Sequence, residues 1–421
     1  MVTSLLLFIL GALSVAATTV SLFRVRHPIV LVFPIMMTGW LTSEWALFHI
    51  AAQMVLVAVL IWLDGLDGTL GQIGAPLFVI SWIGLIVVWV VTRRARPTAR
   101  AALAAGLGED YLERVPAASR ERLRSRPERG LTLRPLSFNR SGLTIDRNIS
   151  YGEHPKRNLL DVYRPAEPPA GKLPVVLQIH GGAWIIGNKV QQAQPLLHRL
   201  AANGYVAVSI NYRLAPKVRF PEPLIDVKRA IAWVRTHIGD YGGDPSTIIV
   251  TGGSAGGHLS SLATLTANQA EYQPGFESID TSVAACVPFY GPSDFRDRHA
   301  IRGRLASMEP FLKRAVMPGA RDDFPELWDA MSPIAHVHPE APPFFIIQGH
   351  LDALVWREET RLFADELAAV SGQPVAYWEV PGAQHAFDTF NSWRSAAAVD
   401  AVERFAGWVA GTRQTATSSE G

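Results

Sequence analysis

The pentapeptide Gly252-Gly253-Ser254-Ala255-Gly256 fits the pattern G-x-S-x-G. A β-rich run, Thr247–Thr251, precedes it, and a helical run begins at Ala255. A serine in that setting sits on a sharp strand-to-helix turn, with its hydroxyl thrust out above a sheet. Side chains at 252 or 256 would clash across such a turn, which is why glycines flank it. The helix that follows points free amides and its positive dipole end at the reacting centre. The chemistry this permits is attack of the Ser254 hydroxyl on a carbonyl carbon, with a covalent acyl intermediate. The five-residue match alone would also suit a glycine–serine loop; the strand before it and the helix after it make the difference.

His180-Gly181-Gly182-Ala183-Trp184 follows a second apolar run, Val175–Ile179. When a hydroxyl attacks a carbonyl, negative charge grows on the oxygen, and each amide aimed there is worth roughly 10²–10³ in rate. Gly181 and Gly182 are the candidate donors from this loop, with Ala255 as the third. A hydroxyl also needs a base, and in this kind of fold the partners follow in the order Ser, Asp or Glu, then His. His385 lies just after the run Val375–Val380 and is the candidate base. His350 is its rival; His336 and His338 sit in a Pro-rich segment and read as loop residues. Asp352, after Phe344–Gln348, is the candidate acid, with Asp294 as runner-up. Asp388 stands too near His385 in sequence for an easy hydrogen bond and reads as a surface charge.

These residues need a scaffold, and the chain from about residue 150 alternates strand and helix patterns. Strands are expected over Val175–Ile179, Tyr205–Tyr212, Thr247–Thr251, Val283–Tyr290, Phe344–Gln348 and Val375–Val380. Helices are expected over Val190–Ala202, Pro223–Ile238, Ala255–Asn268, Trp356–Val370 and Ser392–Ala410. In the second of these, Leu224, Val227, Ile231, Val234 and Ile238 recur at helical spacing and make one core stripe. Strands alternating with helices imply an α/β fold with a mostly parallel sheet.

The formal net charge is +2, which gives no sign of a nucleic-acid partner. The single cysteine, Cys286, excludes an intrachain disulfide and sits in an apolar run that suits a buried thiol. The mean hydropathy is +0.15, and the excess lies in residues 1–92. Leu5–Phe23, Trp45–Leu63 and Leu70–Val91 are each long enough to cross a bilayer, which takes about 20 residues. Pro28–Ser43 is marginal. No basic residue follows Met1 before the first apolar run, so the segment reads as an uncleaved lipid-membrane anchor. Arg24 and Arg26 follow the first run, and Arg93, Arg94, Arg96 and Arg100 follow the last. The positive-inside rule places both clusters in the cytoplasm. That needs an even number of crossings between them, so either Pro28–Ser43 is re-entrant or interfacial, or one cluster breaks the rule. The stronger second cluster favours a cytoplasmic catalytic domain.

The expected organisation is a transmembrane anchor over 1–92, a charged connector or cap contribution over 93–149, a catalytic domain over 150–411 and a disordered tail over 412–421. Ser119–Gly130 is the most charged part of the connector. A basic surface leaning on anionic headgroups is its alternative reading.

His180–Trp184, Asn211-Tyr212-Arg213-Leu214-Ala215-Pro216 with Phe220-Pro221, Gly242-Gly243-Asp244-Pro245, Gly252–Gly257, Asp352 and His385 together resemble the hormone-sensitive-lipase-like bacterial carboxylesterases. Within them the chain is most similar to the membrane-linked Lip-type enzymes of mycobacteria, over roughly residues 150–410. The resemblance implies an α/β-hydrolase fold, a cap over the active site, and hydrolysis of a small-molecule ester without cofactor or metal. Ala183, Lys217 and Gly253 depart from the common pattern. The cap is expected at about 295–330, with Phe295, Phe311, Leu312, Phe324 and Trp328 as pocket walls or as ordinary packing. Trp184, Tyr290 and Trp356 are the candidate substrate-binding side chains. The rival readings are an arylformamidase-type amide hydrolase and a non-catalytic hydrolase-fold receptor. A transporter is disfavoured by the small number of spans.

Overall fold

The apolar runs at the start of the chain form four helices: α1 (Val2–Leu22), α2 (Ile29–Glu44), α3 (Ala46–Trp62) and α4 (Thr69–Thr92). They are seen in a computed structural model that describes residues 1–25, 29–124, 134, 136, 141–167, 169–302 and 308–419. α1 and α4 lie side by side and run the same way. Gly11 faces the Gly74 carbonyl, Gly74 faces the backbone of Leu7 and Phe8, and Gly84 faces Thr18. A Cβ at Gly74 would stand 2.6 Å from the Phe8 nitrogen. Small residues bring backbones together in this way where lipid, not water, is the solvent. The Thr18 and Ser81 hydroxyls add a hydrogen bond of 2.8 Å. α3 runs against α4, with Ala46 clustered on Leu85 and Val88, and Leu60 on Phe78.

α1 is long and apolar enough to cross a membrane, and so is the continuous 39-residue helical stretch Thr69–Leu107. α2 and α3 meet at 89°. A buried stripe of α2, Val32, Met36 and Trp40, leads to contacts with the rest of the chain. Trp40 stacks on Phe390 at 5.2 Å, and Glu44 pairs with Arg394 at 2.8 Å.

α5 (Ala95–Leu107) and α6 (Ala117–Arg124) lead into the sheet-bearing part. In order it contains β1 (Leu143–Ser150), β2 (Leu159–Pro165), β3 (Leu173–Ile179), α7 (Gln194–Ala202), β4 (Val206–Ile210), α8 (Glu222–His237), β5 (Gly243–Gly253) and α9 (Ala255–Leu265). There follow β6 (Ala285–Phe289), α10 (Glu309–Ala315), α11 (Pro325–Ala330), β7 (Phe344–Gly349), α12 (Arg357–Val370), β8 (Val375–Val380) and α13 (Trp393–Ser419). The eight strands are ordered β1-β2-β4-β3-β5-β6-β7-β8. β2 is antiparallel to both neighbours, and β4 through β8 are mutually parallel. From β3 the chain winds outward to β4, then crosses to β5 on the other side. A crevice opens at such a switch point, beyond the carboxyl ends of the strands. Here those ends are in register, Ile179 opposite Gly252.

Alternate residues of each strand enter opposite layers. Ile248 and Val250 pack under α8 and α9, whereas Ile249 and Val287 face α5, α7 and α13. Cys286 is fully buried among Leu265, Phe344 and Phe363, and burial pushes its thiol up to about 12.

The expected strands and helices are present, with three departures. β1 and β2 extend the sheet on the amino-terminal side of residue 165; their polar, weakly alternating sequences carry little strand signal. The connector is not wholly solvated. Ala95, Ala99 and Leu103 of α5 are buried, and the Trp378 indole donates to the Thr98 hydroxyl at 3.0 Å. Most of the charged run after Arg124 lies outside the described residues. α13 continues as helix through the expected tail to Ser419.

Candidate active site

β5 ends at Gly253, and the next residue, Ser254, has φ 58° and ψ −120° before α9 begins. A non-glycine residue held there stores about 1–3 kcal/mol of strain. The surroundings enforce it. A Cβ at Gly252 would lie 2.5 Å from the Gly256 carbonyl, and one at Gly256 would lie 2.0 Å from the Ile179 carbonyl oxygen. The Ser254 amide donates to the Phe289 carbonyl at 2.9 Å, tying the turn to β6.

His385 Nε2 stands 2.8 Å from Ser254 Oγ, and its Nδ1 stands 2.8 Å from Asp352 Oδ2. Asp352 is fully buried. Its Oδ1 accepts the amides of Leu354 and Val355 at 2.8 and 2.9 Å, and Gln348 Nε2 donates to Oδ2 at 3.3 Å. The loops carrying Asp352 and His385 are also joined by backbone. His350 donates to the Val380 carbonyl and Leu351 to the Ala383 carbonyl. The rivals are elsewhere: the His350 ring is bound to Glu379 at 3.2 Å, and Asp294 pairs with Arg298 at 2.5 Å.

The loop after β3 adopts positive φ at Gly182, Ala183 and Trp184. The amides of Gly182, Ala183 and Ala255 carry no hydrogen bond among the described residues. The Gly181 amide does: it donates to Gln192 Oε1 at 2.6 Å. Gly181 is therefore not a free donor here, contrary to the sequence-based expectation, and Ala183 offers an amide in its place.

Trp184, Tyr290 and Trp356 are at most 4% exposed, as enclosed as His385 itself, and each is engaged by neighbouring groups. The Trp184 indole donates to His258 Nδ1 at 3.1 Å, and His258 Nε2 lies 2.7 Å from the Met331 carbonyl oxygen. This strut joins the loop after β3 to α9 and to the segment after α11; burial lowers His258 to about 4. Tyr290 lies against the His385 ring, 4.6 Å between centroids. Its hydroxyl accepts Gln192 Nε2 at 3.2 Å and donates to Asp388 Oδ1. Asp388 is thus a buried partner rather than a surface charge, and burial raises its carboxyl to about 6. Trp356 is flanked by the guanidinium groups of Arg24 and Arg302. Of the candidate cap residues, Phe295, Leu312 and Trp328 belong to the main core, Phe311 packs on it, and Phe324 remains exposed. Gln192 was missed and Asp388 misread because a polar residue in a loop has no periodic signal; only the fold shows what it faces.

A switch-point serine on a strained turn, a histidine and a buried aspartate on the next loops, and a glycine-lined turn beside them define the site of an α/β-hydrolase. Residues 160–367 match the BD-FAE family. The chain is 41% identical over 412 residues to the probable carboxylic ester hydrolase LipM of Mycobacterium tuberculosis, covering 94% of this chain and 92% of that protein. It is also 41% identical to the esterase LipQ of the same organism, over 77% of each chain. Esterase B from Lactobacillus rhamnosis shares the fold, with a TM-score of 0.55 at 21% identity over 76% of this chain and 98% of that one. The chain belongs to the hormone-sensitive-lipase-like α/β-hydrolase esterases, the family of the mycobacterial Lip carboxylesterases, and is a carboxylic ester hydrolase.

Proposed function

We propose that the protein hydrolyses carboxylic esters through an acyl-enzyme on Ser254, with His385 as base and Asp352 as its orienting acid. The observation that carries this is the single imidazole bridging Ser254 Oγ and Asp352 Oδ2 at 2.8 Å on both sides. His385 takes the serine proton as the hydroxyl attacks the ester carbonyl. The amides of Gly182, Ala183 and Ala255 receive the oxyanion, each such donor being worth roughly 10²–10³ in rate. His385 then protonates the leaving alcohol, and water releases the acid by the same steps. Gly181 holds the loop to Gln192 rather than facing the oxyanion.

The substrate class is hydrophobic or lipid-derived esters, drawn from a bilayer in which α1, α3 and α4 cross and α2 lies along the catalytic domain. This arrangement is compatible with the arginine clusters: α3 leaves the catalytic side and α4 returns to it. Arg24, Arg93 and Arg94 then share that side, while the opposite turn carries Asp64 and Asp67 and no basic residue. By the positive-inside rule the catalytic domain faces the cytoplasm.

The test is turnover of p-nitrophenyl esters, from acetyl to palmitoyl, by the full chain in lipid nanodiscs and by Ser254→Ala. Activity lost in the variant, with a long-chain optimum in the native protein, is expected. Turnover retained by the variant would overturn the mechanism, and a strict short-chain preference would overturn the lipid assignment.

A further inference from the structure

Resting on that reading of Ser254, His385 and Asp352, we propose that the amino-terminal helices are a positioning part of the catalytic machinery, because α1 and α2 clamp the loops that carry the acid and the base.

The base loop is held at both ends. Gln384, next to His385, is buried and donates its Nε2 to the Val20 carbonyl of α1 at 3.3 Å. α2 presses on the same spot at Gly39, where a Cβ would stand 2.8 Å from the Val20 oxygen and 3.2 Å from Gln384 Nε2. Past the base, Ser392 Oγ donates to Glu44 Oε2 at 2.6 Å, and Arg394 Nη1 donates to Glu44 Oε1 at 2.8 Å. Arg394 Nε also donates to the Pro381 carbonyl at 2.9 Å, so one guanidinium staples the two ends of the loop to each other and to α2. Both side chains of this ion pair are essentially sealed from solvent, at 0% and 2% exposure. Phe390, midway, rests on Trp40 and Trp45 at 5.2 and 5.3 Å.

The acid loop has its own clamp. Arg24, just past α1, forks onto Glu358 at the start of α12, with bonds of 2.8 and 2.6 Å. The same guanidinium lies 5.8 Å from the centre of the Trp356 ring, whose indole donates to the Ala353 carbonyl beside Asp352.

A tether needs none of this. Burying a charge is costly unless it is paired in good geometry, and Glu44 and Arg394 are buried where a flexible linker would serve to hold a domain at a surface. What the contacts fix is the relative placement of Asp352, His385 and Ser254, and a misplacement of about 1 Å costs on the order of 10²-fold in rate. The state of the helices in the bilayer is therefore transmitted to the triad.

The experiment compares the full chain with Glu44→Ala, Arg24→Ala and Ser254→Ala, all in dioleoyl phosphatidylcholine vesicles. The substrate is p-nitrophenyl acetate, which is soluble enough to remove partitioning. Burst amplitude counts competent serines, and kcat is expressed per competent site. Loss of folded protein lowers the amplitude alone; loss of positioning lowers the rate per site. We expect kcat per site to fall about tenfold or more in both clamp variants, with KM within about twofold. Ser254→Ala retaining turnover would sink the triad reading itself. Ser254→Ala inactive, with both clamp variants within about twofold of the native kcat per site, would overturn the clamp alone. If the clamp variants fail to fold, the native protein decides in dimyristoleoyl, dioleoyl and dierucoyl phosphatidylcholine vesicles. A several-fold change of kcat with bilayer thickness is expected, and a constant kcat would overturn the proposal.

Discussion

Asp352 divides its carboxylate between two kinds of partner: Oδ2 meets His385 Nδ1 at 2.8 Å, while Oδ1 is held by the amides of Leu354 and Val355. In the proposed mechanism the Asp352 carboxylate accepts from Nδ1–H, which leaves Nε2 free to accept the proton of Ser254. In Asp352→Asn the two backbone amides would retain the side-chain oxygen. The new NH2 would then face His385 Nδ1, forcing the proton onto Nε2. We expect kcat to fall by about 10⁴ with KM little changed and the fold intact. Steady-state kinetics with a near-native kcat would show that another group orients the base.

Ser254 trades stability for position. Its backbone sits at φ 58°, where glycine is at ease and serine is not. Ser254→Gly should abolish turnover and raise stability by about 1 kcal/mol, part of the relieved strain being offset by the freer unfolded chain. A thermal melt in detergent with an unchanged or lower midpoint would rule this out.

Asp388 makes stability depend on pH in a stated direction. Burial raises its carboxyl from 3.8 to about 6. The unfolded chain therefore loses this proton first, and folding is progressively penalised as pH rises from about 4 to about 6. The contribution is complete below that window and lost above it, amounting to at most about 3 kcal/mol. Asp388→Asn keeps an acceptor for the Tyr290 hydroxyl but cannot ionise. Its melting midpoint should exceed the native value at pH 8, with the gain vanishing near pH 4. An equal difference at both pH values would contradict the assignment.

Topology is testable with one added thiol. Asp67 is exposed in the turn between α3 and α4, whereas Cys286 is fully buried and leaves no background. In Asp67→Cys a membrane-impermeant maleimide should label intact cells. Labelling only after permeabilisation would place the catalytic domain on the outside.

The sheet from β3 onward was legible because buried parallel strands are continuous apolar runs and the helices between them repeat at helical spacing. Ser254, Asp352 and His385 were legible for a related reason: each directly follows a strand, so its place in the loop order could be read off the chain. β1 and β2 escaped because Leu143–Ser150 mixes apolar and charged residues on a half-open edge. α5 escaped because alanine and arginine dominate it, and only its packing on β8 reveals a buried face. The aromatic residues were legible only as neighbours of the chemistry. Trp184, Tyr290 and Trp356 sit beside it in sequence, but large rings near a site serve equally well as its walls or its struts, and sequence does not separate the two. Arg394 and Glu44 stand far apart in the chain, and nothing local to either one signals the other.

α4 passes into α5 as one helical stretch of 39 residues, a rod of about 58 Å at 1.5 Å per residue. With its first part in a bilayer, as proposed, and its last part packed beneath β8, the rod sets both height and tilt of the catalytic domain. An enzyme mounted like this does not sweep a hemisphere of solution as one on a leash would. On the proposed placement the catalytic serine stays at one height over the bilayer, so the frequency of productive encounters scales with how densely substrate populates the membrane surface rather than with its bulk concentration.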